Sequence, residues 1–267
     1  SIGYLHIGGE IKRLLYILLL SFGFGAVLHV PDDWATIQAG IDAAMDGDTV
    51  LVDEGEYFEN LIIQKSITLT SYAIYDDLSG WVDNFGEWYI TNDNILNTRI
   101  DGSNDTNGDN FQSTILINSP DDECISPIIF GFTITGGDGT VGTIQDSEGN
   151  NIEKTLGGGI LSNNALPKIN YNFITNNNGD VEAGGLDQGG ALNQGTGVDF
   201  GERGGNYTGS RNCEGNVDLS YNFYRDNDAL YGNTLSTWEF EGTLDMTNSI
   251  FDVYNCPEEE VTPVWVN

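Results

Sequence analysis

Beyond residue 30 the chain alternates short apolar runs with Gly, Asn and Asp, and the pattern changes period once. In VPDDWATIQAGIDAAMDGDTVLV (30–52), Ile37, Ile41, Ala44 and Met45 fall at i, i+4, i+7 and i+8. That spacing predicts one apolar face of a short helix, with Asp33 near its N-cap and Gly47 ending it. The period then drops to two. TVLV (49–52), NLIIQ (60–64) and SITLT (66–70) read as strands, with Gly55 turning the chain after the first and Lys65 between the last two. No hairpin dipeptide separates them, so parallel pairing is favoured over antiparallel.

The later chain repeats itself. GFTITGG (131–137), YNFITNN (171–177) and YNFYRDN (221–227) are versions of one motif, and TNSIFDVYN (247–255) is a looser fourth. Between them stand GGGI (157–160), GGAL (189–192) and GNTL (232–235). The alternation places Phe173 and Phe223 on one face and the Asn residues at turns, where stacked amides form ladders. Parallel strands stack about 4.8 Å apart, so roughly seven coils make a rod about 30 Å long. Three stretches break the rhythm and read as loops: 72–95, 138–156 and 194–215.

The string IQAGIDAAMDGDTVLVDEGEYFENLIIQKSITL resembles the opening coil of the pectin-lyase-like superfamily. The resemblance implies an all-β fold, a right-handed parallel β-helix (solenoid), with a short N-terminal capping α-helix covering the core. Such a cover has a physical reason, because an open solenoid end exposes apolar side chains and unpaired strand groups. In that superfamily, loop insertions wall a lateral groove that holds extended glycans.

The N-terminus carries a different signal. Lys12-Arg13 precedes an apolar run from Leu14 to Leu20, followed by SFGFGA (21–26). These are the basic, apolar and small-residue regions of a secretory signal, with cleavage after Gly25 or Ala26. The apolar stretch reaches about 15 residues, short of the roughly 20 that span a bilayer. Residues 1–26 are therefore read as signal peptide plus upstream residues, and 27–267 as one β-helix domain. Its end, CPEEEVTPVWVN, reads as a natural edge or as the cut end of a longer protein. The expected location is extracellular, secreted or at the cell surface. There a disulfide is permitted, with Cys213–Cys256 the preferred pair of the three cysteines.

Composition narrows the partners. Nine Lys and Arg stand against 41 Asp and Glu, a net charge of −32. That field repels nucleic acids and anionic membranes, and also anionic glycans unless a cation intervenes. The partner that the resemblance implies is an extracellular polysaccharide, and this charge restricts it to a neutral one or to an anionic one bridged by Ca²⁺. With 35 Gly and 28 Asn, the letters GDGTVG (137–142) match a dinucleotide fingerprint by chance, without the helix it requires.

Candidate chemistry is sparse. His6 and His29 are the only histidines, which argues against a Ser-His-Asp triad or a His-based zinc site. The resemblance implies three enzyme types to look for. The Gly-His-Gly segment of polygalacturonase-like hydrolases is absent. VDFGE (198–202) matches the methylesterase-like string poorly at Asp199, and the lyase-like Arg-Pro signature is missing. A polysaccharide lyase working by β-elimination still needs a cation and a base, for which Arg203, Arg211 and Arg225 are the candidates. The plain alternative pairs each with a nearby acid, such as Asp226 or Glu202. DGSNDTNGDN (101–110) alternates Asp105, Asn107 and Asp109, an oxygen-rich spacing like that of calcium loops. For substrate binding, Trp81, Trp88 and Tyr89, with Asp199 and Glu202, are the candidates. The aromatics either stack on sugar rings or pack on one another. Three functions stay open: a glycan-binding or adhesive module, a lyase or other carbohydrate-active enzyme, and a purely structural solenoid. Arg203, Arg211 or Arg225 converging with two or more acids favours the enzyme. Exposed aromatics without a basic residue favour binding, and self-packed loops favour structure.

Overall fold

The computed structural model describes residues 25–104, 111–119, 123–145, 151–179, 192–195, 213, 215–229, 234–238 and 242–251. The fold is predominantly β, and its large sheets are parallel. Among the described residues, a seven-stranded sheet orders Val27–Val30, Thr49–Val52, Thr68–Ser71, Ile128–Phe130, Lys168–Asn170, Gly215–Asp218 and Gly242–Asp245. A second, six-stranded sheet orders Gly55–Phe58, Thr98–Asp101, Thr133–Thr135, Phe173–Thr175, Phe223–Arg225 and Ile250–Phe251. A third, five-stranded sheet orders Leu61–Ile63, Ile115–Asn118, Ile160–Asn163, Leu192–Gly195 and Leu235–Trp238. From Thr49 onward the chain visits first, second and third sheet in turn, and then repeats the cycle.

This order stacks like on like. Val50, Leu69, Ile129 and Ile169 are successive partners in the first sheet. Ile100, Ile134, Ile174 and Tyr224 are successive partners in the second, and Leu61, Ile115 and Ile160 in the third. All of them belong to one buried cluster. The second glycine-led repeat is equally regular, with Ile160, Leu192 and Leu235 sharing one register position.

Helix α1 (Ile37–Ala43) buries Ile37 and Ile41 in this cluster. Its N-cap is Thr36, whose hydroxyl accepts from Ala39 N, and not Asp33. Asp33 instead closes the preceding turn by accepting from His29 N. Both oxygens of Glu59 accept from the free first-turn amides of Ile37 and Gln38, at 2.9 Å each. At the other end Lys65 Nζ donates to the carbonyls of Ile41, Asp42 and Ala44. The helix stops short of Gly47, and Met45 is 71% exposed rather than part of the apolar face.

The repeated motif has a specific backbone form. Gly131, Tyr171, Tyr221 and Asn248 all sit at positive φ before the second-sheet strand, and Gly136, Asn176 and Asp226 do so after it. Each of the first three motifs is thus a three-residue strand between two left-handed corners. Such corners cost about 1–3 kcal/mol at non-Gly residues and persist only where the surroundings impose them. Here the ladders impose them. Asn172 Oδ1 accepts from Phe132 N, Asn222 Oδ1 from Asn172 N, and Ser249 Oγ from Asn222 N. A parallel ladder runs from Gly137 through Asn177 to Asn227. Gly131 has a second reason to lack a side chain, because a Cβ there lies 2.7 Å from the Cβ of Ala73.

Several sequence expectations need correction. Gly55 does not turn the chain but opens a strand, and Val27–Val30 is a strand hidden in the tail of the N-terminal apolar run. Segment 138–156 is not a loop: Gly139–Gln145 and Asn151–Leu156 form an antiparallel hairpin. Segment 72–95 holds two 3-10 turns, an antiparallel hairpin and the start of helix α2 (Asp93–Asn97). Most of 194–215 lies outside the described residues. The disulfide joins Cys124 to Cys213, not Cys213 to Cys256. Both partners stand just before strands of the first sheet, so stacking brings together segments 89 residues apart in the chain.

Candidate functional site

The outer face of the second sheet gathers the aromatic side chains. Register puts Phe173 opposite Phe223, with ring centroids 5.1 Å apart, as the shared face of the repeats predicts. Just before them Tyr171 stacks on Tyr221 at 4.8 Å, nearly parallel. The insertion 72–97 folds over this face. Trp81 meets Tyr171 edge-on, and Ala73, Ile90 and Ile95 join Phe173 and Phe223 in one buried cluster. Trp81 is only 6% exposed, so it serves to hold the insertion down and offers no ring to a ligand. Of the three proposed sugar-stacking aromatics, it is the one that packs on its own protein.

Trp88 and Tyr89 behave differently. The hairpin Val82–Asn84/Trp88–Ile90 projects from the packed part of the insertion, with Phe85, Gly86 and Glu87 at its tip. Phe85 is 84% exposed, Trp88 43% and Tyr89 39%. Phe85 and Tyr89 stack at 6.0 Å with 22° between their planes, which makes a two-ring platform. Phe85 was missed in the sequence because only its place at the hairpin tip distinguishes it from core phenylalanines. Partial burial of the Tyr89 hydroxyl, with the Asp83 carboxylate beside it accepting its hydrogen bond, pushes its pKa above the ordinary phenol value.

Arg225 closes the arrangement. Its guanidinium carbon lies 5.2 Å from the Phe173 ring centroid and 5.5 Å from that of Phe223. Its Nε stands 3.5 Å from Asp226, and Nη1 donates to the Trp88 carbonyl at 3.4 Å. Together with Phe85, Gly86, Glu87, Trp88 and Tyr89 it lines an open recess of about 490 Å³. A second cation, Arg99, sits on the same sheet face two strands away from Phe173, held by Asp101 at 2.8 Å and Glu56 at 3.5 Å.

The other proposed residues divide by where they fall. Arg203, Arg211, Asp199, Glu202, Asp105, Asn107 and Asp109 all lie outside the described residues. Among the described residues, no group of three or more His, Cys, Asp and Glu is placed to hold a metal. His29 faces the Tyr72 hydroxyl at 3.4 Å. No helix among the described residues is long and apolar enough to cross a membrane.

The recess thus combines exposed aromatics with one cation. That cation contacts one acid, Asp226, and two aromatic faces, so it matches neither of the simple patterns set out from the sequence. Chemically the recess offers flat apolar faces, a carboxylate at Glu87 and a guanidinium at Arg225. No protein-family model matches the chain, and a search of curated proteins finds no match.

Proposed function

We propose that this chain is a right-handed parallel β-helix of the pectin-lyase-like kind, exported from the cell, and that its lateral face binds an extended polysaccharide. The cyclic visiting order of three parallel sheets and the columns of like side chains support the fold reading. The observation that carries the function is the exposed Phe85–Tyr89 platform, with Trp88 beside it and Arg225 at the rim. Sugar rings present apolar C–H faces that stack on aromatic side chains, and their hydroxyls bond to carboxylates and guanidinium. Phe85, Trp88 and Tyr89 together make an exposed apolar patch at the hairpin, and such patches mark binding surfaces.

The strongly negative chain favours neutral glycans. Anionic ones require Ca²⁺ as a bridge, for which Asp105, Asn107 and Asp109 are the proposed ligands. The Arg225–Asp226 pair supports a second reading, a lyase, in which Arg225 neutralises the uronate carboxylate. We rank it lower because Arg225 is already engaged by two rings, Asp226 and the Trp88 carbonyl.

A panel of neutral and uronic-acid polysaccharides, each with and without Ca²⁺, tests these readings by thermal shift and ultraviolet absorbance. Stabilisation by a neutral glycan without new absorbance supports binding. Growth of absorbance from unsaturated uronates replaces it with the lyase. No shift with any glycan leaves a structural solenoid.

A further inference from the structure

At the start of the first sheet a buried carboxylate meets the backbone of Ala26, where the signal reading of the sequence places the cut. Ala26 N donates to Asp48 Oδ1 at 2.7 Å, and Ala26 O accepts from Thr49 N at 2.8 Å. Asp48 is 6% exposed, and its other oxygen accepts from Met45 N at 2.8 Å. A buried carboxylate is therefore aimed at the backbone nitrogen of the residue just before the first strand. A peptide nitrogen returns one hydrogen and no charge to that carboxylate, whereas a terminal ammonium returns three donors and a full positive charge. At Gly25 itself a side chain has no room, since a Cβ there lies 1.8 Å from the Gly47 carbonyl oxygen.

The sequence singles out the same bond independently. Export endopeptidases require small residues one and three positions before the cut. Cutting between Gly25 and Ala26 places Gly25 and Gly23 there, while cutting one residue later places Phe24 at the outer position. The later cut also removes Ala26, and with it the partners of Asp48 Oδ1 and Thr49 N.

We propose that an export endopeptidase hydrolyses the Gly25–Ala26 bond and that Asp48 then holds the new Ala26 ammonium, locking the first strand onto the second. Water supplies the hydroxyl that completes the Gly25 carboxylate. Its remaining proton and the freed amine, with the proton released by the new acid, give the ammonium, so the step balances with no other reactant. The proposal rests on the export reading of residues 1–26 and not on glycan binding.

The test produces the full chain in a secreting host and sequences the N-terminus of the exported protein. Ala26 as first residue is expected; Val27, or an uncut chain, overturns the proposal. The anchor is read by acylating the α-amine of the same protein at neutral pH. The rate should be at least about fivefold lower than for the peptide Ala-Val-Leu-His, because the ammonium is held by a charge-assisted bond. It should rise toward the peptide's rate in Asp48→Asn. A wild-type rate equal to the peptide's refutes the anchor, whether or not the variant folds.

Discussion

At the scale of single residues, the two kinds of aromatic in the insertion make opposite predictions. Trp81 is buried against Tyr171, and removing it opens a cavity under the insertion. Trp81→Ala should cost about 3–5 kcal/mol of stability, measured by chemical denaturation. Phe85 touches mainly Tyr89 and water, and Phe85→Ala should stay within about 0.5 kcal/mol of the parent. Equal losses from both substitutions contradict the division into packing and platform rings. The asparagines make a further residue-scale prediction. Asn222 is fully buried, accepts from Asn172 N and donates to the carbonyls of Ile169 and Leu219. Asn222→Ala leaves three backbone groups without these partners and should cost about 3 kcal/mol. A loss under about 1 kcal/mol shows that the ladder merely accompanies the fold.

At the scale of elements, the repeats were legible because short apolar runs recur between Gly, Asn and Asp at fixed spacing. The corners at Gly131, Gly136 and Asn176 suit those residue types, whereas Tyr171 and Tyr221 hold left-handed corners that the ladders between repeats impose. The position of Phe173 over Phe223 followed from that pattern. Helix α1 was legible too, but its ends were not: Thr36, Glu59 and Lys65 fix them, and the last two lie beyond the helix and the strand that follows it. Strand Gly55–Phe58 was hidden because glycine signals a turn and a strand start alike. The insertion was legible only as an interruption. Its antiparallel hairpin depends on Trp81 docking onto Tyr171, a contact 90 residues away. The disulfide was misread for the same reason, since chain distance says little about which strands lie side by side. Reducing Cys124–Cys213 releases a loop whose closure is worth about 4.6 kcal/mol in the chain-entropy picture. The melting temperature should fall on reduction, and Cys256→Ser should leave this effect intact. Loss of the effect in Cys256→Ser contradicts the observed pairing.

At the scale of the molecule, charge governs. Net −32 makes self-repulsion the main global electrostatic cost. Asp101 and Asp218 are nevertheless among the carboxylates that stabilise the fold. Burial works to raise Asp101, but hydrogen bonds from Ser103 and the Arg99 ion pair outweigh it and hold its pKa below the ordinary value. Asp218 is likewise pushed up by burial and brought below by Ser220, Asn170 and Lys168. A carboxylate lowered in the folded state contributes stability that is fully present above its unfolded pKa, about 3.9, and is lost as pH falls through the folded value. With repulsion screened by about 0.5 M salt, the melting temperature should stay level from neutral pH down to about 5 and drop below about 4. In Asp101→Asn that acid-side drop should be smaller; an unchanged profile removes Asp101 from the account.

The central claim is that the rings at the hairpin tip form a glycan platform on the side of the stacked coils. Titrating the protein with neutral oligosaccharides of increasing length, followed by tryptophan fluorescence of the Trp88 region, tests it most directly. The account predicts saturable quenching or enhancement that tightens with chain length. Phe85→Ala should weaken it about fivefold, the loss of one ring contact of about 1 kcal/mol, with the melting temperature unchanged. Titrations that remain flat for every oligosaccharide, or affinity indifferent to Phe85→Ala, contradict it.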